Sequence, residues 1–589
     1  MDVLKYESVI TIDLAHIKLI IMKLKIIMLS ISLAAICQTL TAQPNFEWAK
    51  QLGGAFNDWG NSIAVDNMGN VYTTGTFYGT ADFDPGIGVH NLTSVGDWDG
   101  FISKFDSSGN FIWAKSFGGM YWDDATAVTL DVSGNVYIVG SFQGTADFNP
   151  GVGVYNLISF GYRDVFVVKL DASGNFIWAK QMGGVDIEYG YDIVVDSMGN
   201  VYVAGTFGGT ADFDPGVGVY NLTVTGVIND YFILKLDASG NFVWVKQFGG
   251  GPYYNSVINL GVDAFGNVYS AGAFKGTISF DPGAGLYNLT SAGDNDMFIS
   301  KLDELGSTVW VIQLGDTAMD ACLSMAVDDS GNVYTTGIFK GTIDFDSGQG
   351  VYNLTSAGTN KVFVYKVDSS ANFVWAKSMS GTNLSYGNSI AIDNLHNVYT
   401  TGIFYGTIDF DPGPGTFNLT SINPNYADLF ISKLDASGNF GWACQLTGVM
   451  VERENSITAD AVGNVYTTGH FQDTVDFDPG IGIFNLGSAG DLDVFILKVS
   501  NPTTGISENN LRHSITLFPN PTEGIITIST NNASGIDAVI IRDILGKEVL
   551  AKNFSSAKKI ELTLLITRGV YFAEIISGNN KSYAKVIKE

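Results

Sequence analysis

The sequence predicts an all-β chain: a seven-bladed β-propeller of four-stranded blades, followed by a small β-sandwich. Three observations carry that prediction. A tryptophan in F-x-W-A-K-x-x-G-G or a variant of it recurs at Trp48, Trp113, Trp178, Trp244, Trp310, Trp375 and Trp442. The tyrosine of G-N-V-Y recurs at Tyr72, Tyr137, Tyr202, Tyr269, Tyr334, Tyr399 and Tyr466. A D-F-D-P-G run or its variant begins at Asp82, Asp147, Asp212, Ser279, Asp344, Asp409 and Asp476. All three markers step by 65–67 residues and give seven copies each, the signature of a repeat architecture.

The N-terminus reads as an export signal. Lys23 and Lys25 precede an apolar run over residues 26–36, and small and polar residues lead to Ala42. Residues 1–42 are therefore expected to be a signal peptide, with Met22 as the alternative start. The apolar run is too short to span a bilayer, which takes about 20 residues, so no transmembrane segment is expected.

Residues 43–503 hold the blades. In the first copy four strands are expected over residues 62–66 (SIAVD), 71–77 (VYTTGTF), 101–105 (FISKF) and 111–117 (FIWAKSF). They are rich in β-branched and aromatic residues and bounded by Gly, Asn and Asp. Two D-x-x-G-N turns join the first strand to the second and the third to the fourth. Their Asp caps backbone N–H groups, and their Gly takes a left-handed conformation. In VYTTGTF both faces are apolar or small, as stacking between neighbouring blades requires. The repeated Trp reads as a packing residue between blades.

The array opens on a fourth-strand motif, residues 46–53, and ends on a third strand, residues 494–499. The N-terminal strand is therefore expected to complete the last blade and close the ring. The second and third strands are separated by a long insertion, residues 78–100 in the first copy, which is expected on the same side as the variable loops between repeats. Within it Asp82 and Asp84, like Asp212 and Asp214, alternate before a Pro-Gly turn. They are the candidate calcium ligands, hard oxygen donors on an acidic protein; the competing reading is an Asp-capped turn over a tucked Phe, with no cofactor.

The loops between one copy's fourth strand and the next copy's first vary most, and aromatic, acidic and amide residues recur in them. Trp59, Trp122, Asp123, Glu188, Tyr189, Tyr254, Tyr386 and Arg453 are the candidate ligand-binding residues, since an apolar platform beside hydrogen-bonding groups suits a glycan or a protein ligand. The competing class is a secreted lyase or hydrolase, for which Glu188, Glu452, Arg453 and Glu454 are the departures from repeat symmetry; a third is a purely structural surface protein. Catalysis is not expected: the chain has five histidines, and none joins these acids.

Charge narrows the partners. Residues 43–503 carry 17 Lys/Arg against 48 Asp/Glu. Such a surface repels a phosphate backbone, which argues against nucleic acid. Cys37, Cys322 and Cys444 show neither a disulfide framework nor metal-ligand spacing.

Residues 504–514 are polar and read as a linker. Residues 515–589 then show short apolar strands, expected to form a β-sandwich. They contain F-P-N-P-T-x-G at residues 518–524, R-D-x-x-G-K at 542–547 and G-V-Y-F at 569–572. This module resembles the C-terminal sorting domain of the type IX secretion system. The resemblance rests on Pro519, Asn520, Pro521, Gly524, Asp543, Gly546, Gly569 and Tyr571. It implies recognition by that machinery, passage across the outer membrane, and release or attachment at the cell surface. The repeats, through S-I-A-V-D-x-x-G-N-V-Y and D-x-F-I-x-K-x-D-x-x-G-N-F-x-W, resemble SBBP propeller repeats, a family defined by fold that implies no activity.

Overall fold

A computed structural model describes residues 43–589, apart from 227, 251–255, 282–286, 357, 424, 449–452, 503–514, 519–520, 531–534, 544–546, 578–579 and 589. Every regular element among the described residues is a β-strand. The chain divides into two compact units, up to Asn501 and from Pro502.

The first unit is a series of antiparallel four-stranded groups. It opens with β1 (Asn45–Gly54), β2 (Asp58–Val65), β3 (Val71–Asp82), β4 (Asn91–Phe105) and β5 (Phe111–Gly119). Strands β2 to β5 pair in order as the first group. Each later repeat but the last builds the same group, for example Glu188–Val195, Val201–Gly208, Asn229–Leu236 and Phe242–Phe248. The last repeat supplies three strands, and β1 pairs with the third of them, from Asn45 opposite Ser500 to Leu52 opposite Val494.

The D-x-x-G-N turns are self-contained. Asp66 Oδ1 accepts the N–H groups of Met68 and Asn70, and its Oδ2 accepts Asn70 Nδ2 and the Tyr72 hydroxyl. All seven G-N-V-Y tyrosines donate to the Asp of their own turn. These carboxylates are turn caps. In the second turn of the first repeat, Gly109 has φ 75° and a Cβ there would lie 2.7 Å from the Trp48 ring, so conformation and packing both demand glycine.

The same turns tie neighbouring repeats together. Lys104 Nζ lies over the Tyr72 ring and donates to Ala172 O in the next repeat's turn. Trp310 Nε1 donates to Ser369 O, also one repeat on. At the ends, Lys498 and Trp48 both reach Ser107 O of the first repeat. Asn501 stands where the last repeat lacks a turn: its Oδ1 accepts Lys433 Nζ and Trp442 Nε1.

The first strands line one cavity of about 540 Å³, to which all seven repeats contribute. Side chains link these strands in sequence order. Ser62 Oγ accepts Val128 N, Thr126 donates to Gly190 O, and Asp192 accepts Leu260 N. Asn259 donates to Leu323 O, Ser324 accepts Ile390 N, Ser389 accepts Ile457 N, and Ser456 accepts Ile63 N.

The long insertion is a second, smaller hairpin. Thr80–Asp82 pairs with residues 91–93 and, by its other edge, with Gly53 and Gly54. It corrects the expectation for residues 80–93, which turn away from the variable-loop side, while Tyr78 and Trp98 of the same insertion stay on it. The hairpin runs back along the outer strand: His90 packs on Phe111, 5.0 Å away, at the end next to the D-x-x-G-N turn. Tyr155–Phe176, Tyr220–Phe242 and Tyr352–Phe373 repeat the contact at 4.9 Å. Phe83 is fully buried between Phe77 and Phe101. Burial of this phenylalanine, worth about 1.5–3 kcal/mol, pulls the hairpin onto the strand.

The second unit has one sheet of Ile515–Phe518, Ile525–Thr530 and Lys559–Thr563, and another of Glu548–Ala557, Ile536–Asp543, Gly569–Ser577 and Asn580–Lys588. Ile526, Ile528 and Leu562 of the first meet Val539, Ile541 and Ile575 of the second in one core.

Candidate functional site

Where one repeat's fourth strand runs into the next repeat's first, a seam forms. Where the third strand enters the seam it carries a buried acid in most repeats: Asp99, Asp164, Asp230, Asp296, Asp428 and Asp493. The next repeat's first strand often brings a second, as Asp58, Asp123, Glu188 and Asp320 do. A Cβ on Gly53 would lie 2.4 Å from Asp493 Oδ1 and 3.0 Å from Asp58 Oδ2; on Gly118, 2.5 Å from Asp99 Oδ1 and 3.1 Å from Asp123 Oδ2. This explains the first glycine of the W-A-K-x-x-G-G motif: a carboxylate occupies the space its side chain needs. The second glycine yields to a backbone carbonyl, Thr80 O at 2.2 Å from a Cβ on Gly54. Gly118→Ala is expected to cost about 1–3 kcal/mol through overpacking; an unchanged urea midpoint would show that the carboxylate does not hold this position.

The seam acids are fully buried turn caps. Asp123 accepts Gly119 N and Gln143 N, and Glu188 accepts Gly184 N. Asp123 and Glu188, expected at the ligand surface, are therefore corrected to interior positions: each turns back to satisfy N–H groups of its own seam. One oxygen each of Asp99, Asp164, Glu188, Asp296 and Asp493 has no hydrogen-bond partner. Burial pushes the carboxyls of Asp58 and Asp99 up to about 7 and those of Asp123 and Glu188 up to about 8. The neighbouring Asp493 and Asp99 carboxylates raise Asp58 and Asp123 further.

Above two of these seams lies an aromatic array with no counterpart among the described residues of the other repeats. Trp59 stacks on Trp98 at 4.5 Å, and Trp98 on Trp122 at 6.0 Å. Tyr78 and Phe56 extend it on one side. On the other, the Arg163 guanidinium sits over both Trp122 and Tyr189, at 5.7 and 5.3 Å, and pairs with Asp124 at 2.5 Å. Trp122 Nε1 also donates to Asp124. Tyr189 stacks on Tyr191 at 6.0 Å. Backbone bonds fix the loops beneath: Asp97 N to Met120 O, Asp123 N to Trp98 O, and Glu188 N to Arg163 O.

Trp59, Trp122 and Tyr189 of the expected residues thus come together, and Trp98 and Arg163 join them. Trp98 lies within β4 at the end of the insertion and Arg163 just before the third strand of its repeat, and only their departure from the repeat consensus marks them in the sequence. Tyr386 stands apart, packed near Ala273, Ala321 and Ile338. Tyr254, Glu452 and the side chains of Arg453 and Glu454 lie outside the described residues.

In the D-F-D-P-G hairpin, Asp82 Oδ1 accepts Asp84 N and His90 N, and Asp84 Oδ1 accepts Gly86 N. Asp212 and Asp214 repeat the pattern. One oxygen of each is engaged in turn capping, and no group of three metal-ligating side chains occurs among the described residues.

In the second unit Tyr571 donates to Thr567 O, and Asp543 accepts Lys547 N. Gly524 donates to Thr522 Oγ1, and Gly569 opens its strand opposite Lys588. Pro521 precedes Thr522, whose N–H bonds Ile587 O. Pro519, Asn520 and Gly546 lie outside the described residues. No helix among the described residues is long and apolar enough to cross a membrane.

Comparison with known proteins agrees with this division. Residues 47–79 and 177–206 match the β-propeller repeat model, SBBP. An uncharacterised WD repeat-containing protein of Acanthamoeba polyphaga mimivirus is 23% identical over 503 residues, covering 72% of this chain and 36% of that protein. A Caulobacter vibrioides protein named regulatory protein FlaEY is 25% identical over 150 residues, 25% of this chain and 16% of that one. The chain thus spans well under half the length of either relative. The solved structure of Sqt1 from Chaetomium thermophilum overlaps 78% of this chain and 99% of its own, at 11% identity and a TM-score of 0.32. Residues 516–589 match the secretion system C-terminal sorting domain. The chain therefore joins SBBP-type β-propeller repeats to a type IX sorting domain, which marks it as secreted or attached to the outer-membrane surface.

Proposed function

We propose that the seven repeats form a closed, seven-bladed propeller, exported through an N-terminal signal and the type IX machinery, that works outside the cell as a binding scaffold for a glycan or protein. Closure is supported by β1 pairing with the last repeat and by the side-chain bonds that link the first strands from Ser62 round to Ile63. The observation that carries the binding reading is the Trp59–Trp98–Trp122–Arg163–Tyr189 array. A scaffold needs near-identical repeats, and here one sector of one face departs from them with half-exposed aromatics held rigidly. The buried position of Glu188 favours binding over catalysis, because a carboxylate capping a seam does not reach a substrate.

The test is an array of extracellular glycans and proteins probed with the intact chain, with and without calcium. Trp98→Ala and Trp122→Ala are expected to weaken specific binding at least about tenfold. Binding indifferent to both variants, or no binding in either condition, overturns the reading. So does turnover of a plant or algal polysaccharide by the intact chain.

A further inference from the structure

The array has a property that selects among ligands. Its ring faces are spent on one another: Trp59 on Trp98, Trp98 on Trp122, and Arg163 on Trp122 and Tyr189. Rings stacked on one another leave less open face for a saccharide to lie on. What stands clear of the array is a set of exposed apolar side chains on the same loops. Met120 is 70% exposed, Phe160 and Tyr162 65%, and Val185 69%. The seams make them continuous. Gly96 lies against Met120 and Gly161 against Val185, with a would-be Cβ at 2.3 Å from the facing carbonyl in each case. Arg163 bridges the two strips.

Charge is one-sided. Arg163 is committed to Asp124 and only 12% exposed. The exposed charged side chains on these loops are Asp97 and Asp186, both acidic. Around them lies a repeat region with 31 more acids than bases. Aromatic and Met side chains with a paired arginine at the centre, and acids at the edge, match the composition of protein-binding surfaces.

We infer that this face, Met120, Trp122, Phe160, Tyr162 and Val185 edged by Asp97 and Asp186, binds a basic polypeptide segment that inserts apolar side chains between flanking Lys or Arg residues. This rests on the reading of the array as the binding face. The rigid loops supply preorganised apolar contact, and the acidic surround steers a cationic partner and speeds encounter at low salt.

The probe is a short fluorescent peptide of alternating Lys and Leu, measured against the intact chain by anisotropy at low and physiological salt. A peptide with Glu in place of Lys and a panel of neutral and acidic oligosaccharides run beside it. The double variant F160S/Y162S is expected to weaken binding of the Lys peptide about tenfold or more, and D97K/D186K to do so mainly at low salt. Ile422→Ser, exposed on a different repeat, is expected to leave binding unchanged. Thermal melts confirm that each variant is folded. Equal affinity of intact chain and F160S/Y162S for the Lys peptide overturns the inference, as does equal affinity of the intact chain for the Glu peptide. Oligosaccharide binding lost in F160S/Y162S, with no peptide binding, overturns the polypeptide assignment and leaves the binding face standing. Failure of every probe, together with silent arrays, removes both.

Discussion

Deleting residues 43–54 is expected to abolish the stable fold of the repeat region. The deletion removes β1 and with it every hydrogen bond that β1 makes to the last repeat's third strand. It also removes Trp48 and Leu52 from a core shared with Ile496 and Phe101. Truncating one buried Trp and one buried Leu costs roughly 5–10 kcal/mol by ordinary large-to-small values. Whole domains are stable by about 5–15 kcal/mol. The exposed edge of Asn485–Ser500 would then offer unpaired N–H and C=O groups to other chains. The shortened chain should therefore aggregate on expression or melt far below the intact one, as read by size-exclusion chromatography and calorimetry. A melting temperature within a few degrees of the intact chain would refute closure by β1.

Stability should fall as pH rises above neutrality. At the seams, burial raises Asp58 and Asp99 to about 7, Asp123 and Glu188 to about 8, and Asp164 and Asp320 to about 6. In the unfolded chain such groups titrate near about 4. The folded state thus holds protons that the unfolded state has released. The stabilisation they bring is complete below about pH 4 and is lost as pH climbs through 6–8. The D-x-x-G-N turns act in the opposite sense. At Asp106 burial is the largest single effect and works upward, but the bonds from Asn110 and Ser108 together outweigh it and hold the carboxyl below its ordinary value; Asp171 and Asp435 behave alike. Their contribution is present above about pH 4 and is lost as pH falls. The two sets together place maximal stability near about pH 5. Asp99→Asn removes one buried charge while its amide oxygen can still accept Val95 N. It is expected to raise stability at pH 8 by about 1–3 kcal/mol and to change little at pH 5. Urea titrations across pH 4–9 decide the matter, and a profile still rising from pH 6 to 8 would show that the seam acids are ionised in the folded protein.

The repeats, their strands and their turns were legible because each rests on neighbours in sequence. The hydroxyl of Tyr72 meets Asp66 six residues away, and Asn70 closes the same turn. The pairing partner of residues 46–53 was legible too, because a spare fourth strand at one end matched a missing one at the other. The sorting module was readable from short motifs alone.

Three features came only with the tertiary structure. The D-F-D-P-G hairpin folds back along the outer strand, because Phe83 finds its pocket between Phe77 and Phe101, not at a loop face. Asp123 and Glu188 look like surface acids in a variable loop, yet they cap N–H groups within a seam whose other wall is the preceding repeat. Trp98 comes from the first repeat, Arg163 from the second and Tyr189 from the third, and each reads as an isolated substitution until the seams bring them together. Sequence by itself determined what each repeat does to itself: strand, turn and buried tyrosine follow from residues a few positions apart. What one repeat does to the next was decided in space, since their contacts join residues separated by about one period or by the length of the whole array.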